Sequence, residues 1–147
     1  MSHVAATNQH MLLVEELCDY SLQLMRTLRQ EALRAFEPLG IRPLQALVLE
    51  LVAHEVRHPK DLADALDLVP PAVSTLLAEL EGRGLIVRQI DPNDRRRVQL
   101  TLTPDGESMR EEIKDAWFNH SAKLLDKLSP EDIGALITVY RKLIEPA

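Results

Sequence analysis

The chain has 147 residues, the size of a single domain, and it is long enough to bury a sizeable hydrophobic core. Aromatic residues make up only 3% of it, so aliphatic side chains must build most of that core. No run of about 18 apolar residues is present, which excludes a membrane-spanning helix. No secretory signal is visible at the N-terminus, and the single cysteine cannot form an internal disulfide. We therefore expect a protein of the reducing cytoplasm.

The net charge of −6 argues at first against nucleic-acid binding, but the charge is unevenly distributed. Residues 83–97 contain five arginines and two aspartates, so this stretch carries a charge of +3. A basic patch on an acidic body can still bind DNA, while the body opposes unspecific association. The charge pattern therefore permits DNA binding without requiring it.

A long first helix is predicted from about Gln9 to Phe36, after a frayed arm over residues 1–8. Its apolar residues recur at helical spacing, namely Met11, Val14, Leu17, Cys18, Leu22, Met25 and Leu28. Further leucines widen this stripe, which indicates packing against a partner chain as well as against its own domain. Pro38 and Gly40 end the helix.

Three shorter helices are predicted next. The second runs from Pro43 to about His54, and the residues expected to face inward are Leu44, Leu47, Val48, Leu51 and Val52. Pro59 opens the third, with Leu62, Ala63 and Leu66 inward, and residues 67–69 form a turn. Because prolines are tolerated only in a first helical turn, Pro70 and Pro71 begin the fourth helix. Its buried stripe is Val73, Leu76, Leu77 and Leu80.

A β-hairpin is predicted after Gly82 and Gly84 end the fourth helix. Residues 85–90 and 98–102 are apolar runs, and the second alternates apolar with polar residues as a half-buried strand does. Residues 91–94, Asp-Pro-Asn-Asp, have turn chemistry, and three arginines follow at the tip. Two short helices joined by a three-residue turn and followed by such a hairpin form a winged helix-turn-helix. This arrangement predicts DNA binding.

Two helices are predicted after the hairpin. Thr103 can cap the fifth, which runs to about Leu128, and residues 129–132 resemble the capping box of a sixth. The predicted fold class is mainly α (α+β), a single domain with a winged helix-turn-helix DNA-binding core at residues 41–103. Helices at 9–37 and 104–146 flank this core and have little of their own fold to cover. We therefore expect these N- and C-terminal dimerisation helices to hold a homodimer together.

The chain resembles the MarR (multiple antibiotic resistance regulator) family of transcription factors over roughly residues 10–145. The strongest match is residues 94–106, DRRRVQLTLTPDG, which fits the family's wing signature of Asp-x-Arg, alternating apolar residues, Leu-Thr and a later Gly. Residues 62–66, LA-x-x-L, and residues 80–86, LE-x-RGLI, also match. The resemblance implies a dimer that binds a pseudo-palindromic operator in double-stranded DNA. Its recognition helices would lie about one DNA turn apart.

The resemblance also implies roles for residues of the wing. Asp94 is expected to brace Arg96, and Arg96 to enter the minor groove, where a narrow A·T-rich groove attracts arginine by its shape. Arg95 and Arg97 are expected to contact phosphates, which position the protein without specifying sequence. Lys60 in the third helix is expected to add another phosphate contact.

The predicted recognition helix, residues 70–82, departs from the family pattern. Val69 stands where an N-cap residue such as Ser is usual, so one backbone amide lacks a side-chain acceptor. Thr75 and Glu79 stand where a basic residue is common, so this helix has two glutamates and no cation. Glu79 would either accept from a cytosine amine or repel phosphate. The residues expected to read bases are Pro71, Ala72, Ser74 and Thr75.

Cys18 is a further candidate, because some family members sense organic peroxides through a cysteine early in the first helix. The corresponding part of the second helix has no tyrosine to hold a thiolate, and no cation is obviously placed to activate the thiol. A small apolar residue in the dimer core is the favoured interpretation. The five histidines are scattered, so no metal site is expected, and no cofactor-binding or enzyme motif is present.

The sequence therefore predicts a DNA-binding regulator, more often a repressor, and not an enzyme. A small anionic or phenolic effector would bind between the dimerisation helices and the winged lobe and favour one spacing of the recognition helices. No pocket residue can be named. Two alternatives stay open. One is a dimeric interaction protein on the same scaffold without specific DNA reading, which the acidic recognition helix motivates, and the other is a Cys18-based redox-sensing regulator.

Overall fold

The computed structural model describes residues 2–54 and 56–146, with side chains from Thr7 onward. The elements follow in the order α1 (Ser2–Phe36), a 3-10 turn (Glu37–Leu39), α2 (Pro43–Ala53), α3 (Pro59–Leu66), α4 (Pro70–Gly82), β1 (Ile86–Ile90), β2 (Val98–Leu102), α5 (Pro104–Leu125) and α6 (Pro130–Ile144). This order confirms the predicted fold class, which is mainly α with a winged helix-turn-helix.

Helix α1 begins earlier than predicted. It is helical from Ser2, so the frayed arm expected over residues 1–8 is wrong for residues 2–8, and Met1 lies outside the described residues. Residues 2–8 contain no Gly or Pro and include two alanines, which favour helix without any apolar stripe. The predicted end is confirmed, because Gly40 adopts a left-handed φ of 63° and its N–H donates to the Glu37 carbonyl (3.0 Å).

The hydrophobic core lies where α2, α3 and α4 meet the sheet. Its largest fully buried side chains are Val48, Leu49, Leu62, Val73, Leu77, Leu80, Ile86 and Leu100. Burying one leucine or isoleucine of this kind stabilises the fold by roughly 1.5–3 kcal/mol. The inward stripe predicted for α4 is confirmed, because all four of its residues are buried.

Helix α2 packs through a different face from the one predicted. Leu44 and Leu47, expected to face inward, are 39% and 46% exposed, whereas Ala46 and Leu49 are buried. Leu47 instead lines a cavity beside α1 and α5. Because α2 is apolar on most of its sides, periodicity does not reveal which side meets the core.

The predicted turn joins α3 to α4. Asp67 adopts left-handed backbone angles (φ 51°, ψ 46°), which Asp tolerates, and the N–H of Leu68 donates to the Ala63 carbonyl (3.0 Å). Val69 occupies the N-cap position of α4 without a side-chain hydrogen bond, as its apolar side chain requires. The two prolines that follow suit a first turn, where their missing N–H groups have no helical partner.

Strands β1 and β2 pair antiparallel, with Ile86 opposite Leu102 and Ile90 opposite Val98. The N–H of Leu100 donates to the Arg57 carbonyl (2.6 Å), which ties the sheet to the segment before α3. The hairpin is thus anchored on the core. Its loop, residues 91–97, forms the predicted wing and is exposed except at its first residue.

Helix α1 packs on α5 through the C-terminal part of α1. The rings of Phe36 in α1 and Trp117 in α5 lie with centroids 6.2 Å apart. Every residue of α1 from Thr7 to Arg26 is exposed in the single chain, and so is every residue of α6 except Ile133. Helix α5 ends at Leu125, slightly before the predicted Leu128. None of the described helices combines the length and apolarity that crossing a membrane requires.

Candidate nucleic-acid interface

The outward face of α4 presents the small and polar side chains predicted to read bases. Pro71, Ser74 and Thr75 are exposed, and Ala72 is half-buried. The Thr75 hydroxyl donates to the Pro71 carbonyl (3.1 Å), so its oxygen is left mainly as an acceptor. Ser74 has no hydrogen-bond partner within the described residues, so its hydroxyl can donate as well as accept.

Both carboxylates of α4 are paired, which sequence reasoning missed. Glu79 Oε2 accepts from the Arg42 guanidinium, which lies just before α2, and from Gln45 Nε2 (2.8 Å). Glu81 pairs with Arg88 Nε of β1 (2.9 Å). These cations come from other elements, so α4 presents less negative charge than its own sequence indicates.

The base of the wing is held by Asp91, which is only 8% exposed. Its Oδ1 accepts from the backbone N–H of Asn93 (2.8 Å), and its Oδ2 lies 3.4 Å from His58 Nε2. The other ring nitrogen of His58, Nδ1, lies 2.9 Å from the Val98 carbonyl oxygen. These contacts join the wing to the residue that precedes α3.

Asp94 orders the tip of the wing through the backbone. Its Oδ1 accepts from the N–H of Arg96 (3.0 Å), and its carbonyl accepts from the N–H of Arg97 (2.9 Å). Arg97 Nη2 lies 3.9 Å from Asp61 Oδ2 in α3. The exposed guanidinium groups of Arg95 and Arg96 have no hydrogen-bond or ion-pair partner in the part of the chain that the structure describes. They are therefore the cations of the tip that are free to pair with an anion.

Lys60 lies in the first turn of α3, close in sequence to Asp61, which pairs with the wing. Its side chain is exposed, and residues 2–54 and 56–146 supply it with no ion-pair partner. The sequence-predicted cations on α3 and on the wing tip thus belong to elements that contact each other.

A cavity of about 540 Å³ lies between α1, α2 and α5, where sequence reasoning had named no pocket residue. Its apolar lining is formed by Ala32, Phe36, Pro43, Ala46, Leu47, Ile113 and Trp117, and its charged lining by Glu50, Arg110 and Lys114. This size suits a small organic molecule.

Of the charged side chains that line this cavity, Glu50 and Arg110 pair with each other and Lys114 does not pair with either. Arg110 donates to Glu50 Oε2 (2.8 Å) and to Glu107 Oε2 (2.8 Å). Burial alone would raise the pKa of Glu50, but hydrogen bonds from Arg110 and His54 outweigh burial and hold this pKa below its usual range. Lys114 pairs with no acid among the described side chains. It is therefore the cation that an anionic ligand would meet.

Cys18 and the histidines are not brought together with other reactive groups. Cys18 is exposed on α1, and its thiol has no hydrogen-bond partner in the described part of the chain. His54, His58 and His120 each face a different carboxylate. The described residues contain no cluster of three or more side chains that could hold a metal ion.

The chain is similar to known proteins in sequence and in fold. A model of the MarR family matches residues 39–97, from the end of the 3-10 turn to the wing tip. The HTH-type transcriptional repressor MdtR of Bacillus subtilis is 30% identical over 129 residues, which cover 86% of this chain and 83% of MdtR. The solved structure of a mutant of S. aureus MepR bound to an oligodeoxyribonucleotide is 28% identical, with a TM-score of 0.62 over 86% of this chain and 94% of that one.

The fold alone is also shared with a mutant of E. coli MarR complexed with operator DNA, at 21% identity. The TM-score is 0.74, and the match covers 88% of this chain and 94% of that one. An exposed helix-turn-helix face beside an arginine-tipped wing, in a chain whose relatives are transcriptional regulators, defines a DNA-binding transcriptional regulator rather than an enzyme. The chain belongs to the MarR family, as its wing signature predicts.

Proposed function

We propose that this chain is a homodimeric repressor of the cytoplasm that binds a pseudo-palindromic operator and is released by a small anionic or phenolic effector. One observation carries the DNA-binding part. Helix α4 has an exposed polar face and pairs with β1 of the hairpin through Glu81 and Arg88. Arg95 and Arg96, at the tip of this hairpin, have no acidic partner among the described residues. The repressor role is supported by the name of the relative MdtR, and the DNA partner by the DNA-bound structure of MepR.

The proposed division of the chain is a DNA-binding lobe at residues 41–103 and dimerisation helices at residues 9–37 and 104–146. Its support is the apolar surface that α1 and α6 leave uncovered, including Leu143 and Ile144, which are 76% and 79% exposed. An exposed apolar surface of this extent marks an interaction site. A two-fold axis through these helices would present two α4 helices to successive major grooves.

Within each lobe, α4 would read bases in the major groove through Pro71, Ala72, Ser74 and Thr75. Because the Thr75 hydroxyl donates within α4, we assign Thr75 the role of accepting from a base amine. Arg96 would enter the minor groove, on a backbone that Asp94 orders. Arg95, Arg97 and Lys60 would contact phosphates, and Arg97 would do so less strongly because Asp61 lies near it.

Substitution of Arg96 tests this mechanism. Arg96→Ala is expected to weaken operator binding by roughly 10- to 100-fold, which corresponds to about 1–3 kcal/mol. The matched control is Lys123→Ala, which removes an exposed cation from α5, outside the lobe. Binding is measured by fluorescence anisotropy, and the oligomeric state by sedimentation. An Arg96→Ala protein that binds as tightly as the wild type would rule out the wing mechanism.

The effector would bind in the cavity between α1, α2 and α5, with an aromatic ring against Trp117 and a negative charge beside Lys114. The cavity borders α2 of the lobe and also α1 and α5, two of the three proposed dimerisation helices, so an occupant can favour one orientation of the lobe over another. Such an effector releases DNA only if it binds the released state more tightly than the DNA-bound state.

The alternative of an interaction protein without specific DNA reading was motivated by the acidity of α4. The pairing of Glu79 and Glu81 with arginines from other elements weakens this alternative. The alternative of redox sensing at Cys18 gains no support, since no group in the described residues forms a hydrogen bond or ion pair with the thiol.

A further inference from the structure

We propose that Arg42 is a DNA-contacting residue, held over the recognition helix by Glu79, and that it supplies the cation that α4 itself lacks. This inference rests on the proposed DNA-binding function, and it assigns a residue that neither the wing signature nor the recognition helix contains. Its ligand is a backbone phosphate beside the major groove.

Glu79 holds the Arg42 guanidinium beside the exposed face of α4. Glu79 lies four residues after Thr75 on α4, and residues four apart share one face of a helix. Its carboxylate is therefore on the face that carries Thr75 and Pro71. The Arg42 guanidinium is bonded to this carboxylate through Nη2, so it is held beside the same face. The side chains of Arg42 and Glu79 are 60% and 41% exposed.

Arg42 keeps N–H donors for a ligand while it is paired with Glu79. A guanidinium has five N–H groups in a fixed plane, and the ion pair with Glu79 engages Nη2 alone. The remaining N–H groups have no acceptor among the described residues. Arg42 can therefore bond a phosphate oxygen while it stays paired with Glu79, and the carboxylate faces the guanidinium rather than the phosphate.

Gln45 fixes the pair in place. This side chain is only 5% exposed, and its Nε2 donates to Glu79 Oε2 (2.8 Å) while its Oε1 accepts from the backbone N–H of Arg42 (3.0 Å). One buried amide thus positions the carboxylate and the backbone of the arginine together. A side chain that is held before binding loses less conformational entropy when the DNA arrives.

The local charge also favours an anion. Arg42, Gln45 and Glu79 line one shallow depression with Gly40 and Arg83. The Arg83 guanidinium donates to the carbonyls of Gly40 (2.5 Å) and Leu39 (3.2 Å), and no carboxylate in the described residues pairs with it. Two guanidinium groups thus face one carboxylate, so the depression carries net positive charge beside α4.

The test compares Arg42→Gln, Glu79→Gln and the double variant, with Lys123→Gln on α5 as an exposed control that loses the same charge. Binding of a labelled duplex selected by the wild-type protein is measured by fluorescence anisotropy over a series of salt concentrations. If Arg42 contacts phosphate, Arg42→Gln should flatten the slope of log K against log salt by about 0.9 for each subunit. The double variant should show the same loss of slope, while Glu79→Gln and Lys123→Gln should retain the wild-type slope.

Two results would overturn the proposal. One is an Arg42→Gln protein with the wild-type slope. The other is a double variant that regains wild-type affinity and slope, because Arg42 would then only neutralise Glu79. Arg42→Lys, which keeps the charge, should retain most of the slope and so separates charge loss from misfolding. A wild-type protein that binds no duplex at all would instead refute the proposed function itself.

Discussion

At the scale of the residue, Gly106 allows the start of α5 to pack directly against the backbone of the lobe. A Cβ atom at this glycine would lie 2.0 Å from the carbonyl oxygen of Leu85, far inside any permitted contact. The N–H of Gly106 donates to the Thr103 hydroxyl (3.0 Å), which caps α5 and donates to the Gly84 carbonyl (2.5 Å). The start of α5 is thus fastened directly to the residues that precede β1.

Gly106→Ala is therefore expected to lower the free energy of unfolding by roughly 1–3 kcal/mol, because the added methyl group must push the Leu85 backbone away. The control is Gly134→Ala in α6, where a Cβ meets nothing within 4 Å. That change should stabilise by about 0.5–1 kcal/mol, because alanine favours helix over glycine. Thermal unfolding measures both, and equal melting temperatures for the Gly106→Ala and wild-type proteins would contradict this account.

The residues of the wing could be predicted from the sequence because they are close along the chain. Asp94 and Arg96 lie two residues apart, and turn chemistry with a short signature is sufficient to place them at the tip. The Arg42–Glu79 pair could not be predicted, because its members lie 37 residues apart and no periodic pattern connects them. The only local signal was Gln45, three residues after Arg42 at the start of a helix, as in a capping box.

At the scale of the element, helix types and order followed from proline, glycine and apolar spacing, but orientation did not. Pro70 and Pro71 marked the start of α4, and Val73, Leu77 and Leu80 formed its buried stripe as expected. Helix α2 has no polar side wide enough to mark its exposed face, so its predicted stripe was partly wrong. The cavity that Leu47 lines could not be predicted either, because residues of three separate helices form it.

The cavity between α1, α2 and α5 leads to a prediction for the effector. Trp117 lines it and is the single tryptophan of the chain, so an occupant is expected to change the fluorescence of this residue. Trp117 also lines a second pocket, between α1, α5 and α6, so substitution of Lys114 is needed to assign the response to this cavity. Benzoate is expected to change this fluorescence saturably, whereas the uncharged benzyl alcohol should bind more weakly. Lys114→Gln should weaken benzoate binding by about tenfold or more, because a charge-assisted hydrogen bond is worth roughly 1.5–3 kcal/mol.

The control for Lys114→Gln is Lys123→Gln, which removes the same charge from an exposed position of the same helix outside the cavity. Lys123→Gln should bind benzoate like the wild type. Equal affinity of the two variants would show that Lys114 does not hold the anion. A fluorescence response that never saturates would show that the cavity is not the binding site.

At the scale of the whole molecule, the apolar faces of α1 and α6 predict a dimer. Leu143→Asp would place a charge among the exposed apolar side chains of α6 and is expected to shift the protein to monomer at micromolar concentration, because the charge would have to be buried in the interface. Val69→Asp is the control, since Val69 is also an apolar residue with high exposure (65%) but lies between α3 and α4. Sedimentation equilibrium measures both variants.

Val69→Asp should remain a dimer like the wild type. If Leu143→Asp also remains a dimer, α6 is not part of the interface as proposed. A wild-type protein that is monomeric at every concentration would contradict the proposed dimer. Such a monomer would recognise only one half-site of the operator.

The most direct test of the central claim is selection of bound sequences from a random pool of double-stranded DNA. A dimer that reads bases through α4 and groove shape through the wing should recover an inverted repeat, with half-site centres about 10 base pairs apart and A·T-rich steps where the wings lie. The Arg96→Ala protein should lose enrichment at those A·T-rich steps while it retains the half-sites. Recovery of no common sequence by the wild-type protein would contradict the claim that this regulator reads an operator.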